Sequence, residues 1–421
     1  MRTETVTTIV VGDVALIVAA STLLGAVARR LGQPTVFGQI LAGIALGPTL
    51  LGRFPGDPTS RFFPGEVQPF LNVLSQIAIV VFMFVAGYEI DFRLLRREGR
   101  SALTVGVLAL VAPMALTLGA LSLFDGTFAN VDPDHAGTRA FTLFLAVATS
   151  ITALPVLAAI VRERGIAATA PGTVSMAAAG LMDAAAWLLL AAALAGTGHA
   201  SDRPWQVTLA MLIVFLAVMF GVVRPLVARW MDRPRALAAN HLPLALVLAL
   251  TAAWATSRLG LHPVFGGFVA GLAMPRRDGV PDAEILEPME QSAGLLLPLF
   301  FVTTGLSFDI GTVDGGGLAL LAVILVVAIG GKLVPGYLGA RLNGLRPRES
   351  AVVAALVNAR GLTELIALNV ALEAGIINAE LFTVLVLMAL VTTFITGPLL
   401  AVLTPEHSVR TAPPLKATSA P

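Results

Sequence analysis

The sequence predicts an all-α polytopic membrane protein of about 13 transmembrane helices, arranged as two inverted six-helix repeats joined by a linker helix. Three observations predict it. The 421 residues are 57% hydrophobic and only 13% charged, against about 25% charged in soluble domains, and the mean hydropathy is +0.87. Basic residues gather in every second loop. The fifth segment of each half is interrupted in mid-membrane.

Composition also excludes function classes. A net charge of +1 gives no reason to expect a nucleic-acid partner. The lack of cysteine rules out disulfides and thiolate metal sites. The first apolar run, about Thr8 to Val27, is too long for a signal peptide and has Arg29-Arg30 behind it. No HExxH, GxSxG or P-loop is present, so neither an ATP-driven pump nor an intramembrane enzyme is expected, and no cofactor is implied.

Apolar segments lie near 8–28, 35–53, 69–90, 101–124, 139–162, 172–196, 205–229, 242–257, 260–274, 293–308, 317–341, 349–374 and 380–403. The eighth to tenth are short, because Arg258-Leu259-Gly260 barely separates two crossings. Loop charge tests the count. Arg29 and Arg30, Arg93, Arg96, Arg97 and Arg100, Arg162 and Arg164, Arg229, Arg233 and Arg235, Arg276 and Arg277, and Arg341, Arg346 and Arg348 all follow odd-numbered segments. The even loops carry Asp125, Asp132, Asp134, Asp309 and Asp314 with few arginines. The positive-inside rule then places the N-terminus outside and the C-terminus in the cytoplasm, in the cell's inner (plasma) membrane. The expected division is a membrane domain over 1–403 (first repeat about 8–196, linker helix about 205–229, second repeat about 242–403). A polar, Pro-rich cytoplasmic tail over 404–421 is expected to be disordered and to end the chain without a soluble regulatory domain.

The seventh segment as linker leaves two halves of opposite topology. In the fifth segment, Thr149-Ser150-Ile151-Thr152-Ala153-Leu154-Pro155 sets a proline in mid-membrane. Pro155 lacks an N–H and clashes with the carbonyl four residues back, which frees the Ile151 oxygen. In the twelfth, Asn358-Ala359-Arg360-Gly361-Leu362-Thr363-Glu364 brings polar residues and a glycine to the same depth. Paired interruptions at matching positions of inverted halves point to an ion or substrate site at the midplane. Ordinary kinks are the competing reading.

Asp183 is the acid at that depth. It sits in the apolar stretch from about Gly172 to Thr197, roughly 16 Å along a helix that spans the bilayer. An ionisable group there is a functional candidate by default; the alternative is an Asp that only bonds helices together. Lys332 is one of only two lysines and sits well inside the eleventh segment, in Gly330-Gly331-Lys332. A buried lysine can change protonation where an arginine cannot; snorkelling to an interface is its alternative. Arg360 and Glu364, spaced i, i+4, can pair on one face and steady the interrupted helix. Thr149, Ser150 and Thr152 offer oxygens to a hard cation, although such hydroxyls usually bond their own backbone. Asp13 and Glu89 read as interfacial, with Asp91 continuing toward the cytoplasmic arginines. His135, His199, His241, His262 and His407 are scattered and suggest no metal site.

Several stretches carry a family resemblance. They are Phe37-Gly38-Gln39 through Gly47-Pro48, Phe84-Val85-Ala86-Gly87-Tyr88-Glu89-Ile90-Asp91, Thr149 to Leu157, and Asp183 to Trp187. They continue with Gly260 to Phe268, Pro298-Leu299-Phe300-Phe301, Asn358 to Ile366, and Thr392-Thr393-Phe394. Together they resemble the monovalent cation:proton antiporter superfamily, in the branch of bacterial potassium-efflux antiporters and plant cation/proton exchangers. The resemblance implies the sodium/proton antiporter fold: two crossed, discontinuous helices in a core domain, a dimerisation domain, a homodimer, and elevator-like alternating access. Asp183 matches the ion-carrying Asp and Thr149 to Thr152 the unwound crossover. Lys332 matches a membrane lysine that pairs with an acid beside the transport Asp. The family usually has Asp, Asn or Gln there, and this chain has Met182. Lys332 is then expected to face Asp183 itself.

The expected function is secondary antiport of Na+ or K+ against protons, with Asp183 as the shared site and Lys332 modulating its charge. Pro155, Asn358, Arg360, Gly361 and Glu364 support the helix breaks. The alternative is an anion or organic-solute carrier on the same scaffold, suggested by Met182, Lys332 and Arg360.

Overall fold

A computed structural model describes residues 3–90, 98–128, 131, 139–167, 169–195, 205–231, 241–259, 261–277 and 279–404. Asp91, Arg93, Arg96, Arg97, Asp132, Asp134, His135, His199, Arg233, Arg235 and the tail beyond Thr404 lie outside the described residues. In the first half the helices are α1 (Thr3–Arg30), α2 (Thr35–Leu46), α3 (Gln68–Glu89), α4 (Gly99–Leu123), α5 (Arg139–Ala148), α6 (Leu154–Glu163) and α7 (Ala170–Ala195). α8 begins at Trp205–Val218 and continues through a π-helical turn, Met219–Val223, into Arg224–Met231. There follow α9 (His241–Arg258), α10 (Pro263–Ala273), α11 (Ala283–Leu306), α12 (Gly315–Leu342), α13 (Pro347–Val357), α14 (Leu362–Glu373) and α15 (Ala379–Leu403). No strand occurs among the described residues beyond the isolated bridge Arg277–Val280.

Ten of the described runs are long and apolar enough to cross a membrane, with α13 and α14 counted as one. This fits the bilayer constraint, because helices satisfy their backbone polar groups internally. Their outward faces carry large apolar side chains such as Leu23, Val111, Ile213, Val326 and Val402.

Two expectations need correction. The tenth segment, expected at 293–308, starts at Ala283. Glu284, Glu287 and Glu290 make its first turns read as a loop, yet they lie exposed while Ile285, Met289, Ala293 and Leu297 turn inward at i, i+4 spacing. Asp13 is not interfacial: it sits ten residues into α1 and is only 4% exposed. Glu89 does close α3 at its last residue, where its carboxylate accepts a hydrogen bond from Arg162 at 3.2 Å.

The principal helix pairings form two bundles. One holds α1, α2, α3, α9, α10 and α11; the other holds α4 to α7 and α12 to α15. α8 touches α7 of one and, through its π turn, α10 of the other. The first bundle closes through glycines. In Val36-Phe37-Gly38…Ala42-Gly43, a Cβ on Gly38 would strike the Leu24 carbonyl of α1, and one on Gly43 the Phe301 carbonyl of α11. Val264-Phe265-Gly266…Ala270-Gly271 repeats the pattern: Gly266 lies on the Ala252 carbonyl of α9 and Gly271 on the Phe84 carbonyl of α3. This eight-residue repeat is legible in the sequence as a signal of duplication.

Such contacts leave no room for a side chain. Gly43→Val or Gly271→Val should lower stability by about 1–3 kcal/mol through overpacking, read as a fall in melting temperature of the detergent-purified protein. Gly119→Ala, whose Cβ meets nothing within 4 Å, should leave it unchanged or slightly higher.

Candidate functional site

The site is built where two broken helices cross. α5 ends at Ala148 and α6 starts at Leu154, with Pro155 in its first turn. The break therefore precedes the proline instead of being a kink at it. Pro155 starts the second half-helix where no N–H is needed. α13 ends at Val357 and α14 starts at Leu362, with Gly361 between them at φ 158°, ψ −126°. A Cβ on Gly361 would meet Val156 Cγ2 at 2.6 Å, so the glycine lets α6 and the second break approach.

The two breaks bind each other. The Ala153 amide donates to the Ala359 carbonyl at 3.2 Å, and the Thr152 hydroxyl donates to the Val357 carbonyl at 2.7 Å. Other backbone ends need side chains, because no helical turn follows them. Arg360 donates to the Ala148 carbonyl at 2.8 Å and to the Thr149 carbonyl. Lys332 Nζ donates to the Ser150 carbonyl at 2.5 Å and to Thr152 Oγ1 at 2.6 Å. Asn358 donates to the Thr392 carbonyl at 3.2 Å. Thr393 Oγ1 accepts from the Arg360 amide and donates to its carbonyl, at 3.2 and 2.8 Å.

Charge follows the half-helix dipoles. Both buried cations sit at the carbonyl end of α5. Glu364 lies in the first turn of α14 and pairs with Arg360 at 3.1 Å, both side chains wholly buried. Asp183, 1% exposed on α7, presents its carboxylate to the Leu154 amide that begins α6. That approach falls short of an ordinary hydrogen bond, and neither Asp183 oxygen has a partner of good geometry. A buried carboxylate short of hydrogen bonds is costly, and it is suited to accept whatever neutralises it.

The remaining expected residues are placed as follows. Thr149 Oγ1 contacts Thr117 Oγ1 at 2.6 Å and the Leu145 carbonyl at 3.1 Å, and Ser150 Oγ donates to the Ala146 carbonyl at 2.7 Å. Both hydroxyls thus turn back on their own helix. Lys332 does not bond Asp183. Its third polar contact is Met182 Sδ at 3.8 Å, with Thr152 Oγ1 at 3.9 Å from the same sulfur. The thioether fills the space beside the lysine without offering charge, and the crossover carbonyl is the stronger acceptor. Sequence reasoning missed Thr117. Its hydroxyl also reaches the Pro113 carbonyl at 2.8 Å, and the only local signal was Pro-x-x-x-Thr within α4.

Comparison with known proteins places this geometry. The sequence model of the family described as sodium/hydrogen exchanger, transmembrane, matches residues 16–404. The Na+/H+ antiporter NhaS4 of Synechocystis is 33% identical over 401 residues, covering 94% of this chain and 97% of that protein. Cation/H+ antiporter 20 of Arabidopsis thaliana is 36% identical over 398 residues, 91% of this chain but 47% of that protein. This chain thus spans about half the length of the plant relative. The sodium proton antiporter MjNhaP1 of Methanocaldococcus jannaschii shares the fold, with a TM-score of 0.68 at 16% identity over 95% of this chain and 99% of that one.

The Arg360–Glu364 pair yields an asymmetric prediction. Arg360→Met strips Glu364 and two carbonyls of their donor and should cost about 3–5 kcal/mol. Glu364→Gln leaves the guanidinium its carbonyls and should cost clearly less. Thermal melts of both variants check the order.

Proposed function

Because the chain belongs to the sodium/hydrogen exchanger family, we propose that it is a secondary antiporter exchanging Na+ or K+ for protons, with Asp183 as the site both ions share. One observation carries the reading: a wholly buried carboxylate, short of hydrogen bonds, lies at the start of a broken half-helix where two interrupted helices cross. A bound cation or a proton neutralises it, never both, and this competition couples the two fluxes. Thr149, Ser150 and Thr152, at the same break, supply oxygens to the passing cation. Lys332 and Arg360 hold the crossover carbonyls and set the local charge. With Met182 beside Asp183, a single carboxylate titrates, so exchange is one-for-one and electroneutral.

The packing supports alternating access. The bundle of α4 to α7 and α12 to α15 moves against the other, carrying the crossing with it. The repeated glycine pattern of α2 and α10 supports an inverted repeat within 1–403, as do matched pairings: α1–α2 with α9–α10, α2–α11 with α10–α3, and α4–α7 with α12–α15. Thirteen passages of the plasma membrane, an outside N-terminus and a homodimer belong to the same reading. The anion-carrier alternative finds no support. The N–H groups of Lys332 point at Ser150, Thr152 and Met182, and the relatives are cation exchangers by name.

Asp183→Asn should abolish cation-dependent proton movement in everted vesicles challenged with sodium, potassium and lithium; transport that survives would end the assignment. Competition also fixes a pH dependence. On the acid side, the apparent KM for the cation should rise about tenfold for each tenfold rise in proton concentration, with Vmax at saturating cation maintained. Met182→Asp returns an acid beside Lys332. It should make the exchange rate respond to an imposed membrane potential, to which the wild type is indifferent.

A further inference from the structure

Along the seam between the bundles, two small apolar voids hold about 10 Å³ each. A third space is different: a cavity of about 180 Å³, lined by α3, the His262 end of α10, the end of α11, and α14. Several waters fit in such a volume. It lies at the opposite end of the helices from Arg162, and Asp183 is not among its walls.

Its chemistry is specific. Asn369 donates its amide hydrogens to Thr304 Oγ1 at 2.8 Å and to the Leu365 carbonyl at 2.9 Å, so its carbonyl oxygen is the polar function left over. Gln76 Oε1 is buried without a hydrogen-bond partner. Thr303 Oγ1 donates to the Phe300 carbonyl at 3.0 Å and stands 3.1 Å from Ser75 Oγ. That order makes Ser75 the donor of the pair and leaves its lone pairs available. At the mouth, His262 Nε2 lies 3.6 Å from the Glu373 carboxylate, while His262 Nδ1 accepts from the Val264 amide at 3.4 Å. No lysine or arginine lines the space. Neutral oxygens with a single carboxylate form a hard donor set for a singly charged cation that keeps part of its water; a divalent ion would call for more carboxylates.

We propose that this cavity is a second, weak station for a partly hydrated alkali cation, held by Glu373 with Gln76, Asn369 and Ser75. The proposal rests on the antiport reading. It joins a residue of each bundle, so the station exists while the bundles stand as they do here and changes when they slide. Glu373 is 59% exposed in its side chain, and screening by water and salt keeps its hold loose.

The test removes the main site first. Purified Asp183→Asn protein should still broaden the sodium-nucleus NMR line, and excess K+ should reverse the broadening. Asp183→Asn combined with Glu373→Gln, or with Gln76→Leu, should lose it; the combination with Glu373→Gln should melt level with the single variant, because Glu373 is exposed. No broadening in Asp183→Asn, or broadening that both double variants retain, overturns the station. The antiport reading fails by another route, if Asp183→Asn still moves protons in response to cations. Loss of transport in Asp183→Asn with no residual cation binding removes the station alone.

Discussion

Everything in this structure depends on how two interrupted helices satisfy their backbones away from water. Each break exposes carbonyls at one half-helix end and amides at the next, and in hydrocarbon each unsatisfied group costs several kcal/mol. The crossing answers partly with itself, through Ala153 and Ala359 and the side chains of Asn358 and Arg360, and partly with Lys332 and Thr393 from two other helices. The amide end of α6 faces Asp183. One constraint thus explains why the buried charges exist, why cations stand at carbonyl ends and acids at amide ends, and why a carboxylate is held at the middle of the fold.

The same arrangement separates tightly packed parts from a looser seam. Within the first bundle, Gly38, Gly43, Gly266 and Gly271 set helix backbones in direct contact. In the second, Gly331 lies against Pro113 and Gly339 against Val105, joining α4 to α12. The seam between bundles has voids and exposed polar contacts instead: Arg162 reaches Glu89 and Glu290 at 3.2 and 4.0 Å at one end, and His262 reaches Glu373 at the other. Exposed pairs of this kind contribute little, typically below about 1 kcal/mol. They can be exchanged at small cost while the tight contacts within each bundle persist, which is what the proposed sliding of one bundle against the other requires.

Met182 shows how one side chain redirects a site. Its sulfur occupies the place beside Asp183 and lies near Lys332 without forming a charge pair. The lysine hydrogen-bonds no carboxylate and takes the crossover carbonyl of Ser150.

The sequence by itself determined the class and the ingredients. Hydropathy identified an all-helical membrane protein, and helix breakers at 149–155 and 358–364 located both interruptions. The isolation of Asp183 and Lys332 among apolar residues singled them out, because a charge in hydrocarbon is too costly to be incidental. The i, i+4 spacing of Arg360 and Glu364 is local geometry, so that pair was legible too. What a linear reading could not decide is which distant acceptor each donor finds. Lys332 lies 182 positions from its Ser150 carbonyl and Arg360 lies 212 from that of Ala148. Asp13 looked peripheral until packing buried it, and the cavity at Gln76 and Asn369 exists only because α3 and α14 are brought together. Hydrogen bonds between distant segments depend on where helices pack, and packing is settled by the whole chain at once.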